Sequence, residues 1–579
     1  MRRLLIAVCL VAAALALPGC ATTPPSMPAP PAPARALFMI AITPRDADDV
    51  TRLLALGVDV LEGADGDTLY ALGDDVLLDG LRAAGFRASI AESTVERMTA
   101  AGPADTFFAG YHSVAEHERH LEAVQAARPD LAVIINYGLS WTRSLSPTQG
   151  YALKALCITR RKPGDCALVP GAPKPRLLVL AGQHPRELAT SEIAWRLIDL
   201  LIQGDGQDPD LATVLDTTEV WVIPLTNPDG RAIVERGGDH PLLQRKNANA
   251  LVGSCPLTPT VGVQIGVDLN RNSSFHWGEV GGATNPCSAL YRGASPASEP
   301  ETAALERLLG GLFADQRGIA LTDTAPLTAS GLSLNLHAFG DEILVPWSFS
   351  TCGMRACPAA RRAPNDTGLR QIAFRLAADN GYTVGQPGEV LYPMSGTTDD
   401  YAYGALGVPA FTIEIGPSRG PCGGFTPAYG CVDAQFWPQQ RTALIEAARL
   451  ARQPYALAQG PRISVTSPVS LTVRAGESVT LTAVVDDGLA MVSRLSVGRP
   501  AAQPIALVEV SPDTLPWLPT ARPQPAVPVD GRLDGPREAV RVVVNTRGWA
   551  TGRHTLYWRA RDGSGAWGTT TAVWVNVTR

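Results

Sequence analysis

Apolar and polar positions change rhythm twice along the folded part of the chain. From residue 36 to 95 short strands alternate with short helices. Residues 36–42 (ALFMIAI) read as a strand, and 46–56 carry Val50, Leu53 and Leu54 at helical spacing. Residues 58–61 and 68–72 read as strands around an Ala64-Asp65-Gly66 turn, 75–84 as a helix and 86–90 as a last strand. Such a unit is either a pro-segment lying over an active site or a permanent module. No basic cleavage cluster follows it, which favours the permanent module.

Between 105 and 455 the units are longer. Apolar runs at 131–135, 176–181, 219–225, 333–336, 343–346 and 410–415 predict buried strands, and 114–127, 187–203, 299–313, 369–380 and 440–452 predict helices. Strands alternating with helices imply an α/β fold on a largely parallel or mixed sheet. From 460 to 579 helical spacing disappears. Period-two alternation at 461–485, 539–545, 554–560 and 572–577 predicts an immunoglobulin-like antiparallel β-sandwich, with the proline-rich stretch 512–528 as a long loop. The fold class is thus a mixed-sheet α/β domain flanked by a small N-terminal α/β unit and a C-terminal β-sandwich.

The start of the chain reads as an address. Arg2 and Arg3 precede an apolar run over 4–17, too short for a comfortable membrane span. Leu17-Pro18-Gly19-Cys20 resembles a bacterial lipobox, which makes 1–19 a signal peptide, Cys20 a lipidation site and the Pro/Ala-rich 20–35 a tether. Ala21, in place of Asp, resembles the outer-membrane sorting pattern. The expected location is therefore an outer-membrane lipoprotein facing the periplasm or cell surface, and otherwise periplasmic or secreted. Contact with the membrane is expected only through the lipid anchor.

A net charge of -6 over 579 residues is too mild for nucleic acid or an anionic lipid surface as partner. Besides Cys9 and Cys20, eight cysteines fall into four sequence-neighbour pairs, as expected of disulfides in an exported chain. Connectivity stays open, since eight cysteines allow roughly a hundred pairings. No Cys-x-x-Cys is present, so a thiolate zinc site is not expected.

The candidate chemistry follows the strand at 176–181, in Gly182-Gln183-His184-Pro185-Arg186-Glu187. His184 and Glu187, three apart on the first turn of a helix, can face one ion, and both suit zinc. A catalytic zinc takes three protein ligands, and His337, ending the strand at 333–336, is the candidate third. Further along come Asn227-Pro228-Asp229-Gly230, Arg245-Lys246-Asn247, Asp268-Leu269-Asn270-Arg271, Leu391-Tyr392-Pro393 and Phe411-Thr412-Ile413-Glu414.

In this order the motifs resemble the zinc carboxypeptidase family, whose best-known members are pancreatic carboxypeptidases A and B. The resemblance covers about residues 108–455. It implies an enzyme, a metallocarboxypeptidase, with one Zn²⁺ per chain on His184, Glu187 and His337 and with peptide or protein C-termini as partners. It assigns Glu414 as general base and Arg245 as the cation facing the scissile carbonyl. It further implies that Asn270 and Arg271 grip the substrate's terminal carboxylate, that Tyr392 closes over the bound residue, and that Arg186 contacts the substrate upstream of the cut. The resemblance also makes Asp268 the carboxylate that orients the first zinc histidine.

Tyr392 and Glu414 stand 22 positions apart, the interval of the pancreatic enzymes, which puts Asp399 at the base of the specificity pocket. An acid there implies preference for C-terminal Lys or Arg. Other readings are an envelope peptidase acting on peptidoglycan stem peptides, and a peptidase-fold surface protein that binds without catalysis. Ala338 and Phe339 stand where the family has Ser and Tyr, and 251–265 and 281–294 add loops near the cleft. His117 and His120 read as surface helix positions, His240 and His276 as loop residues and His554 as part of the sandwich.

Overall fold

The structure, a computed structural model, describes residues 37–93, 107–260, 262–352, 357–488, 493 and 495–579. The signal peptide, Cys20 and the tether lie outside the described residues. The described strands, in chain order, are β1 Phe38–Thr43, β2 Val60–Asp65, β3 Thr68–Gly73, β4 Arg87–Ser93, β5 Ala132–Leu139, β6 Ala152–Ile158, β7 Arg176–Leu180, β8 Glu219–Ile223, β9 Leu332–His337, β10 Glu342–Leu344, β11 Thr383–Gly385 and β12 Ala410–Glu414. The principal helices are α1 Ala47–Ala55, α2 Asp75–Ala83, α3 Val114–Ala127, α4 Trp141–Leu145, α5 Leu188–Gly204, α6 Pro209–Thr217, α7 Pro228–Glu235, α8 Pro300–Leu312, α9 Asp366–Ala377, α10 Pro387–Val390, α11 Thr398–Leu406, α12 Trp437–Leu450 and α13 Pro454–Leu457.

Strands β5 to β12 form one eight-stranded sheet in the order β11-β10-β12-β9-β7-β8-β6-β5. Its centre, β12-β9-β7-β8, is parallel, and β10 and β6 run antiparallel to that centre. β7 and β8 are buried at every position, as apolar strands covered by helices on both faces must be. From β7 the chain moves to β8 on one side, while β9 returns on the other. Such a reversal opens a crevice at the carboxyl ends of the strands.

The N-terminal module is a four-stranded antiparallel sheet, β2-β3-β1-β4, with α1 and α2. Its apolar residues Ile40, Leu53 and Val60 share one buried cluster with Leu344, Leu391, Tyr392 and Met394 of the larger domain. The last part of the chain folds as two packed sheets with a core of their own. Strands β13 Arg462–Val465, β14 Ser470–Arg474, β15 Ser478–Asp486, β16 Ile505–Pro512, β17 Gln524–Pro525, β18 Val527–Pro528, β19 Arg537–Asn545, β20 Gly552–Asp562 and β21 Thr571–Thr578 divide into β13-β15-β19-β18 and β14-β21-β20-β16-β17. The stretch 512–528 is not loop throughout, because β17 and β18 pair with β16 and β19. Among the described residues no helix is long and apolar enough to cross a membrane.

Among the described residues, four disulfides join Cys157–Cys166, Cys255–Cys287, Cys352–Cys357 and Cys422–Cys431, the sequence-neighbour pairs. Cys255–Cys287 ties the two added loops beside the cleft.

Candidate metal centre and substrate cleft

The centre is built where the parallel strands end. Gly182, at φ 63°, turns the chain out of β7 where a side chain would crowd Ser191 and the carbonyl of Pro224. That turn delivers His184 and then Glu187, the residue at which α5 starts. β9 ends on His337, and β12 ends on Glu414, directly opposite it in register.

The Nδ1 of His184 lies 2.7 Å from Glu187 Oε1 and 3.0 Å from His337 Nδ1, and His337 Nδ1 lies 3.1 Å from Glu187 Oε2. All three side chains are buried. Among the described residues they are the one group of three histidine, cysteine or acidic side chains whose donor atoms converge in this way. Ligand atoms on a tetrahedral zinc stand roughly 3.4 Å apart, from bond lengths near 2.1 Å, so the donor set fits such an ion with slight expansion. Burial and Arg245 oppose protonation of His184, but Glu187 and Asp268 outweigh them and raise its pKa.

Asp268 works from behind. Its carboxylate meets His184 Nε2 at 3.0 Å, accepts Arg245 Nε at 2.9 Å and also takes the Asn270 amide at 2.9 Å. A carboxylate accepts only, so the His184 proton sits on Nε2 and leaves the Nδ1 lone pair facing the centre. Burial works against Asp268's charge, yet Arg245, His184 and Arg271 hold its carboxyl well below the usual range.

Arg271 donates to the carbonyls of Gly281 and Asn270 and to the Tyr392 hydroxyl at 3.3 Å, which places arginine, asparagine and tyrosine together. Asn270 Oδ1 accepts the Thr398 amide at the start of α11. The next residue, Asp399, is buried. Its Oδ2 accepts the Ser348 hydroxyl at 3.0 Å, while its Oδ1 has no hydrogen-bond partner among the described residues. Burial raises the Asp399 carboxyl, and burial with the Asp399 charge pushes neighbouring Asp400 well above the usual range.

Arg186 is engaged within the chain. Its guanidinium donates to both oxygens of Asp59, at 2.6 and 3.1 Å, and lies 4.0 Å from the centroid of the Phe425 ring. Tyr392 donates its hydroxyl proton to the carbonyl of Val60 at 3.0 Å. Residues 58–61 of the N-terminal module therefore sit on two predicted substrate contacts. Asp59, Ser348 and Asp400 escaped the sequence reading; the lone charge in the apolar Val58-Asp59-Val60 was the one signal for Asp59.

His117 is a correction. It is buried on α3, not on the surface, and burial pushes its imidazole well below the usual value. His112 and His120 stack on Trp195 and pair with Glu192 and Asp199.

Comparison with known proteins follows the same residues. A family model described as zinc carboxypeptidase matches residues 117–444, more than half of the chain. Zinc carboxypeptidase A 1 of Drosophila melanogaster is 27% identical over 326 residues, covering 56% of this chain and 66% of that protein, just under two-thirds of its length. Carboxypeptidase B of Astacus astacus is 26% identical over 313 residues, covering 53% of this chain and 86% of the relative. The crystal structure of carboxypeptidase A from Helicoverpa armigera superposes with a TM-score of 0.54 at 22% identity, over 72% of this chain and 98% of that one. At that identity the superposition speaks for the fold alone.

Proposed function

Because the chain belongs to the zinc carboxypeptidase family, we propose that it is a metallocarboxypeptidase that removes single C-terminal residues from peptides, with Lys and Arg preferred. The observation that carries this reading is the convergence of His184, Glu187 and His337 beside Glu414. A zinc ion held there would polarise a carbonyl and acidify bound water.

The remaining steps belong to the chain's own residues. Glu414 takes a proton at its carboxylate and returns it to the leaving amine. Arg245, fixed at its Nε by Asp268, stands ready for charge developing on the carbonyl oxygen. Asn270 and Arg271 hold the substrate's terminal carboxylate through charge-assisted donors, which limits cleavage to the last residue. Tyr392 closes over that residue. The open Oδ1 of Asp399 supports a cationic side chain in the pocket, since a buried acid with an unsatisfied acceptor favours Lys or Arg over an apolar tail. Arg186 receives the upstream part of the substrate once Asp59 withdraws.

The Asp59 and Val60 contacts support a latent form in which the module covers the cleft. Four disulfides support export to an oxidising compartment. Mass spectrometry of the mature N-terminus tests lipidation at Cys20, and an unmodified start beyond residue 20 would end that part of the reading.

A peptide-library digest with and without chelator, read by mass spectrometry, tests the whole. Loss of single terminal Lys or Arg residues, abolished by chelator and restored by zinc, is the expected result. Internal cuts, or no cleavage after limited proteolysis of the module, would overturn it.

A further inference from the structure

At the opposite end of the central strands, where the sandwich meets the main domain, lies a groove of about 520 Å³. Its wall carries Arg452 and Gln459 from the chain around α13, and Trp517, Arg559, Ser564 and Trp567 from the sandwich. The Arg452 guanidinium lies 4.3 Å from the Trp517 ring centroid, and that of Arg559 lies 3.9 Å from Trp567. Trp517 thus has one cation over it and Trp567 has two, with Arg561 5.4 Å from its centroid, and both indoles also line the groove.

The two arginines differ in charge balance. Arg559 donates to Glu509 at 2.6 Å. Arg452 makes one contact with Gln453 Oε1 at 3.3 Å and has no carboxylate partner among the described residues. Burial, with Arg559 nearby, lowers its pKa to about 10, so it stays cationic at neutral pH. A half-buried cation without a counter-charge, beside two indoles, is matched by a ligand that brings one anion and flat apolar faces. Gln459 Nε2 donates to the Tyr455 carbonyl and Ser564 Oγ donates to Asp562, so the two side chains turn acceptor oxygens to a partner rich in hydroxyls. The wall comes from helix ends, turns and β20, which carries Arg559 and is already paired with β16 on one side and β21 on the other, so it offers no free strand edge to an extended peptide.

We propose that this groove binds an acidic oligosaccharide, with its sugar faces against Trp517 and Trp567 and its ring carboxylate on Arg452. The volume lies within the range of small-ligand sites. Gly331, just ahead of β9, donates to the carbonyl of Ala451 beside Arg452, and β9 ends at His337, so its six residues, at about 3.3 Å each, separate the two sites by roughly 20 Å. A glycan bound there anchors the protein and leaves the cleft open to peptides.

The test is titration of the full exported chain with trigalacturonate, maltotriose and amidated triglutamate, read by tryptophan fluorescence and calorimetry. Trigalacturonate should bind in the millimolar range or tighter and weaken with salt. Arg452→Gln and Trp567→Ala should each weaken it about tenfold while peptide turnover stays within about twofold. No binding at about 10 mM, equal binding by the variants, or equal binding of maltotriose or triglutamate would overturn the proposal. Should a variant not fold, saturation-transfer NMR on the unaltered protein decides: transfer to the sugar ring protons supports the site, and its absence overturns it.

Discussion

Asp59 and Arg186, 127 positions apart in sequence, form a two-point ion pair in which neither side chain reaches solvent. Burial pushes the Asp59 carboxyl up, but Arg186 outweighs it and keeps the acid ionised. Removing one member of such a pair leaves the other charge buried and uncompensated, at about 3–5 kcal/mol. Arg186 can escape that cost if the module lifts. Asp59→Asn should therefore expose the cleft and raise the rate on a small peptide by about tenfold or more, with earlier cleavage of the module by added protease. An unchanged rate would mean that the module does not limit access.

Glu414→Gln keeps the shape of the side chain and removes its proton acceptor. Turnover should fall by about 10²–10⁴-fold while the bound-metal content stays the same. His337→Ala should instead lose metal, because it removes one of three donors around the centre. Elemental analysis beside the rate separates the two effects. Normal turnover by Glu414→Gln would remove this residue from the mechanism.

Asp399→Leu replaces an open buried acceptor with an apolar surface. The rate on Lys- and Arg-terminated peptides should drop by roughly 10²-fold, and Leu- and Phe-terminated peptides should gain. If the ranking of terminal residues does not change, Asp399 is spoken for by Ser348 and selects nothing.

Some of these residues were legible in the sequence. α3 was read residue for residue at 114–127, and in the structure a Ser113–Glu116 capping box fixes its start at that point. β7 and β9 were read within one or two residues because they are short apolar runs that end in the chemistry. The strand β6 (ALKALCI) and helix α11 (TDDYAYGAL) were not read. The first carries Lys154 in mid-run, and the second sits buried on most sides and so lacks a polar stripe. The metal donors were named from spacing and donor chemistry, but a lone His-x-x-Glu says little and the family resemblance gave that reading its weight; the substrate contacts came from the resemblance alone. The lone charge in Val58-Asp59-Val60 marks Asp59 as a residue in need of a partner, but that the partner is Arg186 depends on how the module docks on the larger domain.

Asp341 offers a test of stability against pH. Burial raises its carboxyl to about 6, although Tyr382 and the Gly416 backbone lower it somewhat. In the unfolded chain the same group titrates near 4. Between about pH 4 and pH 6 the folded protein therefore holds a proton that the unfolded chain has lost, so stability falls as pH rises through this window and levels off above it. A shift of about two units corresponds to at most about 3 kcal/mol. Asp341→Asn suits the test because Asp341 sits at φ 55°, a conformation asparagine tolerates well. The variant should match the natural protein near pH 4 and exceed it increasingly up to about pH 6.5, as measured by urea unfolding at each pH. Neighbouring Glu342, also raised well above its usual value by burial and by Asp341, is present in both proteins, so the difference between them isolates position 341 and its coupling to Glu342. A stability difference that does not vary with pH would mean that the Asp341 carboxyl is ionised in the folded protein throughout this range.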